Sequence, residues 1–215
     1  YPNEYFGLKE ISKAFSGNGK MEFDALKIAL IEHLKTLNYS FLDKKSKAYN
    51  LVKEVLNSEF VILDFNYTKS TEKILKDFGL TDDVIEKRLI KIHGSVDTDI
   101  VFGVEDHADI LSEHTFLKKS SNIIFKGINI YRQLPSLSNL FIFGHSLGET
   151  DHTYFRSFFN SFASEGYEDG DKQITLYHYD ETGKNQLFQQ LNVLTNNKVT
   201  LLRQNSQFDL IDTSV

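Results

Sequence analysis

The stretch Leu140-Phe-Ile-Phe-Gly-His-Ser-Leu-Gly-Glu-Thr-Asp151 decides how the rest of the chain is read. Leu140 to Phe143 are apolar, with enough aromatic and β-branched character to predict a buried strand. Gly144-His145-Ser146-Leu147-Gly148 predicts a tight turn. Glu149, Thr150 and Asp151 then open a helical pattern in which Tyr154, Phe155, Phe158, Phe159 and Phe162 recur at helical spacing. A strand that turns through glycines into a helix aims backbone N–H groups at the space above the sheet edge, the setting of an anion or nucleophile site. Two chemistries fit. Gly-His-Ser-Leu-Gly matches the nucleophile elbow of α/β-hydrolases, with Ser146 as nucleophile. It also matches a nucleotide-binding turn in which Ser146 is only a hydrogen-bond partner.

Outward from this stretch, short apolar runs alternate with helical patterns. Strands are expected at Phe60–Phe65, Arg88–His93, Ile100–Gly103, Ile174–Tyr179 and Val199–Leu202. Helices are expected at Met21–Leu37, Lys44–Leu56, Thr71–Phe78 (closed by Gly79), Phe116–Tyr131 (stopping before Pro135) and Asn185–Leu194. Ser16 to Gly19 reads as a turn, and the polar tail from Gln204 is expected to fray. The alternation predicts an α/β fold: a doubly wound, mostly parallel sheet flanked by helices. Residues 1–57 read as a helical segment, 58–205 as the α/β domain and 206–215 as a tail.

Composition narrows the functional classes. The chain has 215 residues, 40% of them hydrophobic and 13% aromatic, enough for a packed core. It has no cysteine, which excludes a disulfide scaffold, a thiolate metal site and a cysteine nucleophile, and suits a reducing cytoplasm. A net charge of −6 gives no broad attraction to nucleic acid or acidic lipid. No apolar run is long enough to span a membrane, and no signal-peptide pattern opens the chain.

In a doubly wound sheet, ligands sit beyond the carboxyl ends of the strands. Three polar or glycine clusters follow apolar strands directly: Asn66-Tyr67-Thr68, His93-Gly94-Ser95 and Gly144 to Gly148. Asn66 reads either as a helix cap or Asx turn, or as an amide that holds a ribose hydroxyl or a water. His93, beside Gly94, is a candidate general base. Ser95 is a turn residue or a phosphate contact. Asp64 reads as a satisfied carboxylate, Thr68 as a cap for the next helix, and Asp151 as a charge near a helix start or a ribose partner. His107 and His114, with Asp106 and Asp109, mimic metal-ligand spacing but read better as a solvated loop, so no metal is expected. For a hydrolase, Asp169 or Asp171 followed by His178 would complete a triad. His178 lies in an apolar strand, however, and fewer than 70 residues follow the elbow.

Phe65-Asn-Tyr-Thr68, Ile92-His-Gly-Ser95, Phe102-Gly103 and Phe143-Gly-His-Ser-Leu-Gly-Glu-Thr-Asp151, followed by Tyr154-Phe155, together resemble the AbiH family of bacteriophage abortive-infection proteins, over roughly residues 58 to 205. Such proteins in turn look like distant members of the sirtuin-like fold. The resemblance implies a Rossmann-type NAD site and hydrolysis of NAD to ADP-ribose and nicotinamide as an antiphage response. It implies Asn66 as the group orienting the nicotinamide ribose or attacking water, and His93 as the base. Gly144, Ser146 and Asp151 would hold the adenosine side, with Tyr67, Thr68, Gly94, Ser95, His145 and Leu147 lining the same pocket. At Thr68, sirtuin-like enzymes carry Asp. The family's opening strand and Gly-Asn-Gly-Phe-Asp phosphate cradle have no counterpart at Gly17–Gly19, so the chain is expected to lack its first βα unit. Absence of cysteine removes the zinc module of sirtuin-type deacylases. Expected partners are a small-molecule nucleotide and either another copy of the chain or a phage-derived trigger, in the cytoplasm. Two alternatives stand beside this reading: a serine hydrolase built on Ser146, and a non-catalytic nucleotide-sensing module.

Overall fold

Short apolar runs followed by helices fold here into parallel strand pairs. The computed structural model describes residues 19–37, 42–125, 134, 137–167 and 171–214. The chain divides into two units, residues 1–128 and 129–215.

In the first unit, α1 (Gly19–Thr36) buries Phe23, whose ring stacks on Phe102 at 5.7 Å. Helix α2 (Lys47–Val55) starts where the Ser46 hydroxyl accepts the Tyr49 N–H, satisfying an otherwise orphan donor. Then come β1 (Ile62–Asp64), α3 (Ser70–Asp77), α4 (Asp82–Arg88) and β2 (Leu89–Lys91). Strands β1 and β2 pair in parallel, with Ile62 opposite Leu89 and Asp64 opposite Lys91. Helix α3 closes on Gly79 as expected: its N–H donates to the Lys76 carbonyl at 2.9 Å and the Leu80 N–H to Leu75 at 3.2 Å. Leu75, Ile85 and Leu89 form the core, with Val52, Leu56, Phe60, Ile62 and Leu80 packed around them.

The second unit is a three-stranded parallel sheet in the order β3-β4-β5, from β3 (Asn139–Ile142), β4 (Gln173–His178) and β5 (Gln207–Asp212). Its helices are α5 (His152–Phe162), α6 (Asp180–Leu194) and α7 (Val199–Gln204). The phenylalanines of α5 form the interior: Phe158 and Phe162 lie 4.6 Å apart, and Phe159 is wholly buried. His152 bonds Gln190 at 2.8 Å, joining α5 to α6. Both units are mixed α/β with small parallel sheets. Among the described residues, no helix is long and apolar enough to cross a membrane.

Four local expectations are corrected. Ile100–Gly103 is no strand; Ile100 makes one antiparallel bridge, to Gly94. The expected helix from Phe116 is replaced by 3-10 turns at Ser112–Leu117 and Lys119–Ser121. There the Leu117 carbonyl accepts from Val104 and the Lys119 N–H donates to Val104, so these groups are not available to a helical ladder. The part of that expectation over 126–131 lies outside the described residues, as do 16–18 of the expected turn. Val199–Leu202 is helical, a short apolar run that periodicity alone does not assign. The place beside β4 is taken instead by Gln207–Asp212, in the segment expected to fray. Half-buried Phe208 and Leu210 alternate there with exposed polar residues, the pattern of a strand with one covered face.

Between α2 and α3, the Asp77 carboxylate accepts from Lys44 at 2.9 Å and from the Tyr49 hydroxyl at 2.5 Å. Lys44 and then Tyr49 hold this carboxyl below its ordinary value of 3.8. A carboxyl depressed in the folded state contributes stability above its unfolded value, and that contribution is lost as pH falls through the lower native value. Asp77→Asn is therefore expected to lower stability at neutral pH and to flatten the acid limb below about pH 4. Denaturant midpoints measured between neutral pH and acid check this; parallel curves for the two proteins would contradict it.

Candidate functional site

Two of the three strand-end clusters come together in the first unit. Because Asp64 lies opposite Lys91, the segments Asn66-Tyr67-Thr68 and His93-Gly94-Ser95 leave the sheet side by side. Asp64, buried to 4%, is the residue that makes the Asx turn: its Oδ1 accepts the Asn66 N–H at 2.8 Å and the Asn66 side-chain amide at 3.2 Å. Asn66 itself is exposed and caps no helix. The expected Thr68 cap is also absent. Its hydroxyl meets that of Ser70 at 3.1 Å, whereas the N-cap of α3 is Lys69, which makes no side-chain cap bond. The Asp97 carboxylate holds the Lys69 ammonium above its ordinary range by hydrogen bonding.

Lys91 binds the cluster together. Its ammonium contacts the Asp64 carboxylate at 2.7 Å, the Glu72 carboxylate at 3.2 Å and the carbonyls of Asn66 (3.3 Å) and Thr68. His93 is buried, with its ring edge-on to Phe65 at 5.3 Å and tilted against Tyr67 at 6.3 Å. The Tyr67 hydroxyl donates to the Val101 carbonyl, and the Val101 N–H donates to His93. Gly94 is the residue type its backbone requires. At φ +75° a Cβ would stand 2.1 Å from the Asp99 carbonyl oxygen. Ser95 closes the loop behind it, taking the Thr98 N–H on its carbonyl.

The third cluster lies in the second unit, where the strand–turn–helix expected at 140–162 is present. Gly144 turns the chain at φ +65°. His145 Nδ1 then accepts the Leu147 N–H at 2.9 Å, which places the ring proton on Nε2, facing the Asp151 carboxylate at 3.3 Å. The His145 ring lies edge-on to Phe155 at 5.3 Å. Leu147, wholly buried with φ +54°, and Asp151 brace the bend and do not line the space in front of it.

That space is a cavity of about 370 Å³, lined by Gly144, His145 and Ser146 on one side and by Tyr177 to Asp180, Thr182, Gly183, Gln186 and Leu187 on the other. It sits beyond the carboxyl ends of β3 and β4. Sequence reasoning missed its second wall, because His178 was placed inside a strand that it in fact terminates. The His178 Nδ1–H donates to the Asp180 carbonyl at 2.8 Å. Asp212, beside His178, is held below the ordinary carboxylate range, chiefly by the Ser214 N–H. Lys91 was missed as well; a lysine and an aspartate at matching ends of two apolar strands were the available signal.

Ser146 and His178 share the cavity, yet among the described residues no hydrogen bond joins Ser146 to a histidine, the contact a serine nucleophile needs. His107 is exposed and His114 is buried against Phe116. Among the described residues, no group of three or more His, Cys, Asp or Glu is arranged to hold a metal.

The strand-end clusters thus lie on two mixed α/β units with small parallel sheets. The family profile described as Bacteriophage abortive infection AbiH matches residues 6–168, and the chain belongs to that family. The family points to a role in abortive infection. No curated protein and no solved structure matches the chain.

The glycines and Lys91 give sharp expectations. Gly94→Ala should cost at least about 2 kcal/mol, from both strain and backbone collision. Gly144→Ala, whose Cβ would meet nothing within 4 Å, should cost only about 1 kcal/mol. Lys91→Met leaves the Asp64 carboxylate buried without its cation and should cost about 3 kcal/mol. Urea unfolding of the three variants ranks them; equal losses at Gly94 and Gly144 would refute the proposed difference.

Proposed function

We propose that this AbiH protein acts in antiphage defence by binding NAD or a related nucleotide and hydrolysing it to ADP-ribose and nicotinamide, on a sirtuin-like, Rossmann-type scaffold in the cytoplasm. The observation that carries the reading is the position of the cavity: beyond the carboxyl ends of adjacent parallel strands, against a glycine bend. Its volume suits a nucleoside-sized group. The family's link to abortive infection supports a reaction that depletes a metabolite.

The chemistry breaks the bond between the nicotinamide nitrogen and C1′ of the ribose. Water adds at C1′, nicotinamide leaves with the bonding electrons, and the water proton passes to a base. The resemblance in sequence assigns that base to His93 and the orientation of the water to Asn66. Consistent with a positioned amide, Asn66 Nδ2 is anchored on Asp64, itself fixed by Lys91. By the same resemblance, Tyr67, Thr68, Gly94 and Ser95 are proposed cofactor contacts within the first unit and Gly144, His145 and Ser146 within the second, where Leu147 and Asp151 act from behind the bend by shaping it.

The experiment is direct. The 215-residue chain incubated with NAD should release nicotinamide, and Asn66→Ala and His93→Ala should each reduce the rate by about 100-fold or more when assayed well below the melting temperature of each variant. Full activity in both variants would remove the proposed roles. Stabilisation by NAD without turnover would favour a sensing module instead.

A further inference from the structure

The cavity in the second unit has a charge pattern that selects one end of a nucleotide. Among the described residues no lysine or arginine lines it, and the carboxylate at its wall is Asp180, beside the imidazoles of His145 and His178 and with the ionised Asp212 close by at the end of β5. The start of α6, where first-turn amides would otherwise attract a phosphate, is already occupied: Asp180 Oδ1 accepts the Gly183 N–H at 2.9 Å. This wall is therefore poor ground for an anion. Its other features suit an uncharged, flat and hydroxylated group. Tyr179 stands in the lining with its ring largely exposed, at 69%. Tyr177, braced by Phe143 at 5.4 Å, forms part of the floor. Asp180 retains a second carboxylate oxygen beyond the one used on Gly183, held at the cavity by a backbone with φ +58°.

We propose that this cavity takes the base-and-ribose end of the nucleotide, that Asp180 accepts hydrogen bonds from the ribose diol, and that the same carboxylate excludes a ribose bearing a 2′-phosphate. The inference rests on the nucleotide reading above and makes it more specific. A carboxylate placed at the diol gains two hydroxyl donors from an unmodified ribose. It faces like-charge repulsion from a phosphorylated one. Tyr179 serves both ligands equally, since stacking reads only the face of the base.

The test is titration calorimetry on the full chain with NAD, NADP and adenosine. NAD is expected to bind at least about tenfold more tightly than NADP. Asp180→Asn keeps the oxygen that caps Gly183 and suits the positive φ, so it preserves the fold; it should bring the NAD-to-NADP ratio close to one. Tyr179→Ala should weaken both ligands about tenfold and leave the ratio intact. Equal binding of NAD and NADP by the wild type, or an unchanged ratio in Asp180→Asn, overturns the assignment of Asp180 while leaving nucleotide binding in place. Failure of both NAD and adenosine to bind at millimolar concentration overturns the nucleotide reading and this inference together.

Discussion

A parallel strand that ends in a turn leaves backbone N–H and C=O groups with no ladder partner, and each must find one at the same edge where a ligand would sit. The structure depends on how the chain meets that demand with its own side chains. In the first unit, the Asp64 carboxylate takes the Asn66 N–H, and the Lys91 ammonium takes the carbonyls of Asn66 and Thr68. In the second, the His145 ring takes the Leu147 N–H and Asp180 takes the Gly183 N–H. The four polar residues thereby fix the course of the chain beyond the strands.

The two solutions differ in reach, and the difference has consequences. Lys91 is long, crosses from one strand end to the loop of the other, and gathers two carboxylates around itself. His93 packs against Phe65 and Tyr67 at the same edge. In the second unit the strand-end side chains bond backbone only two or three residues away, His145 to Leu147, His178 to Asp180 and Asp180 to Gly183, while the Thr213 hydroxyl reaches back to the His178 carbonyl. Short bonds of this kind satisfy the backbone without extending a side chain across the edge. Space is left between the 144–146 bend and the start of α6, and it is the cavity.

How much of this could be read from sequence follows from the range of each signal. The strand–turn–helix around Gly144 was legible because apolar run, glycine and helical periodicity all fall within one continuous stretch, and the Gly79 cap for the same reason. Strand β5 was not, because its alternation of Phe208 and Leu210 with polar residues is brief and sits in a polar tail. The segment after Phe116 misled because its helical spacing is overridden by pairing with Val104, a contact thirteen residues distant that no local pattern announces. Within the site, Asn66 and His93 stood out as polar residues after strands. Lys91 and Asp64, which organise them, stood inside strands, and only the register of β1 with β2 makes them partners.

The bend at 144–148 shows why such edges are fixed before any ligand arrives. Leu147 holds a left-handed backbone conformation that costs a non-glycine residue on the order of 1–2 kcal/mol. Complete burial of its side chain offsets that cost, and so does the bond from its N–H to His145 Nδ1. This bond requires an imidazole without a proton on Nδ1, and Asp151 favours that form by facing the protonated Nε2. Glycine at 144 supplies the turn, leucine at 147 the anchor, histidine at 145 the acceptor, and aspartate at 151 the tautomer. Replacing any one of them acts on the conformation of all, so the residues behind the cavity wall shape it as much as those lining it.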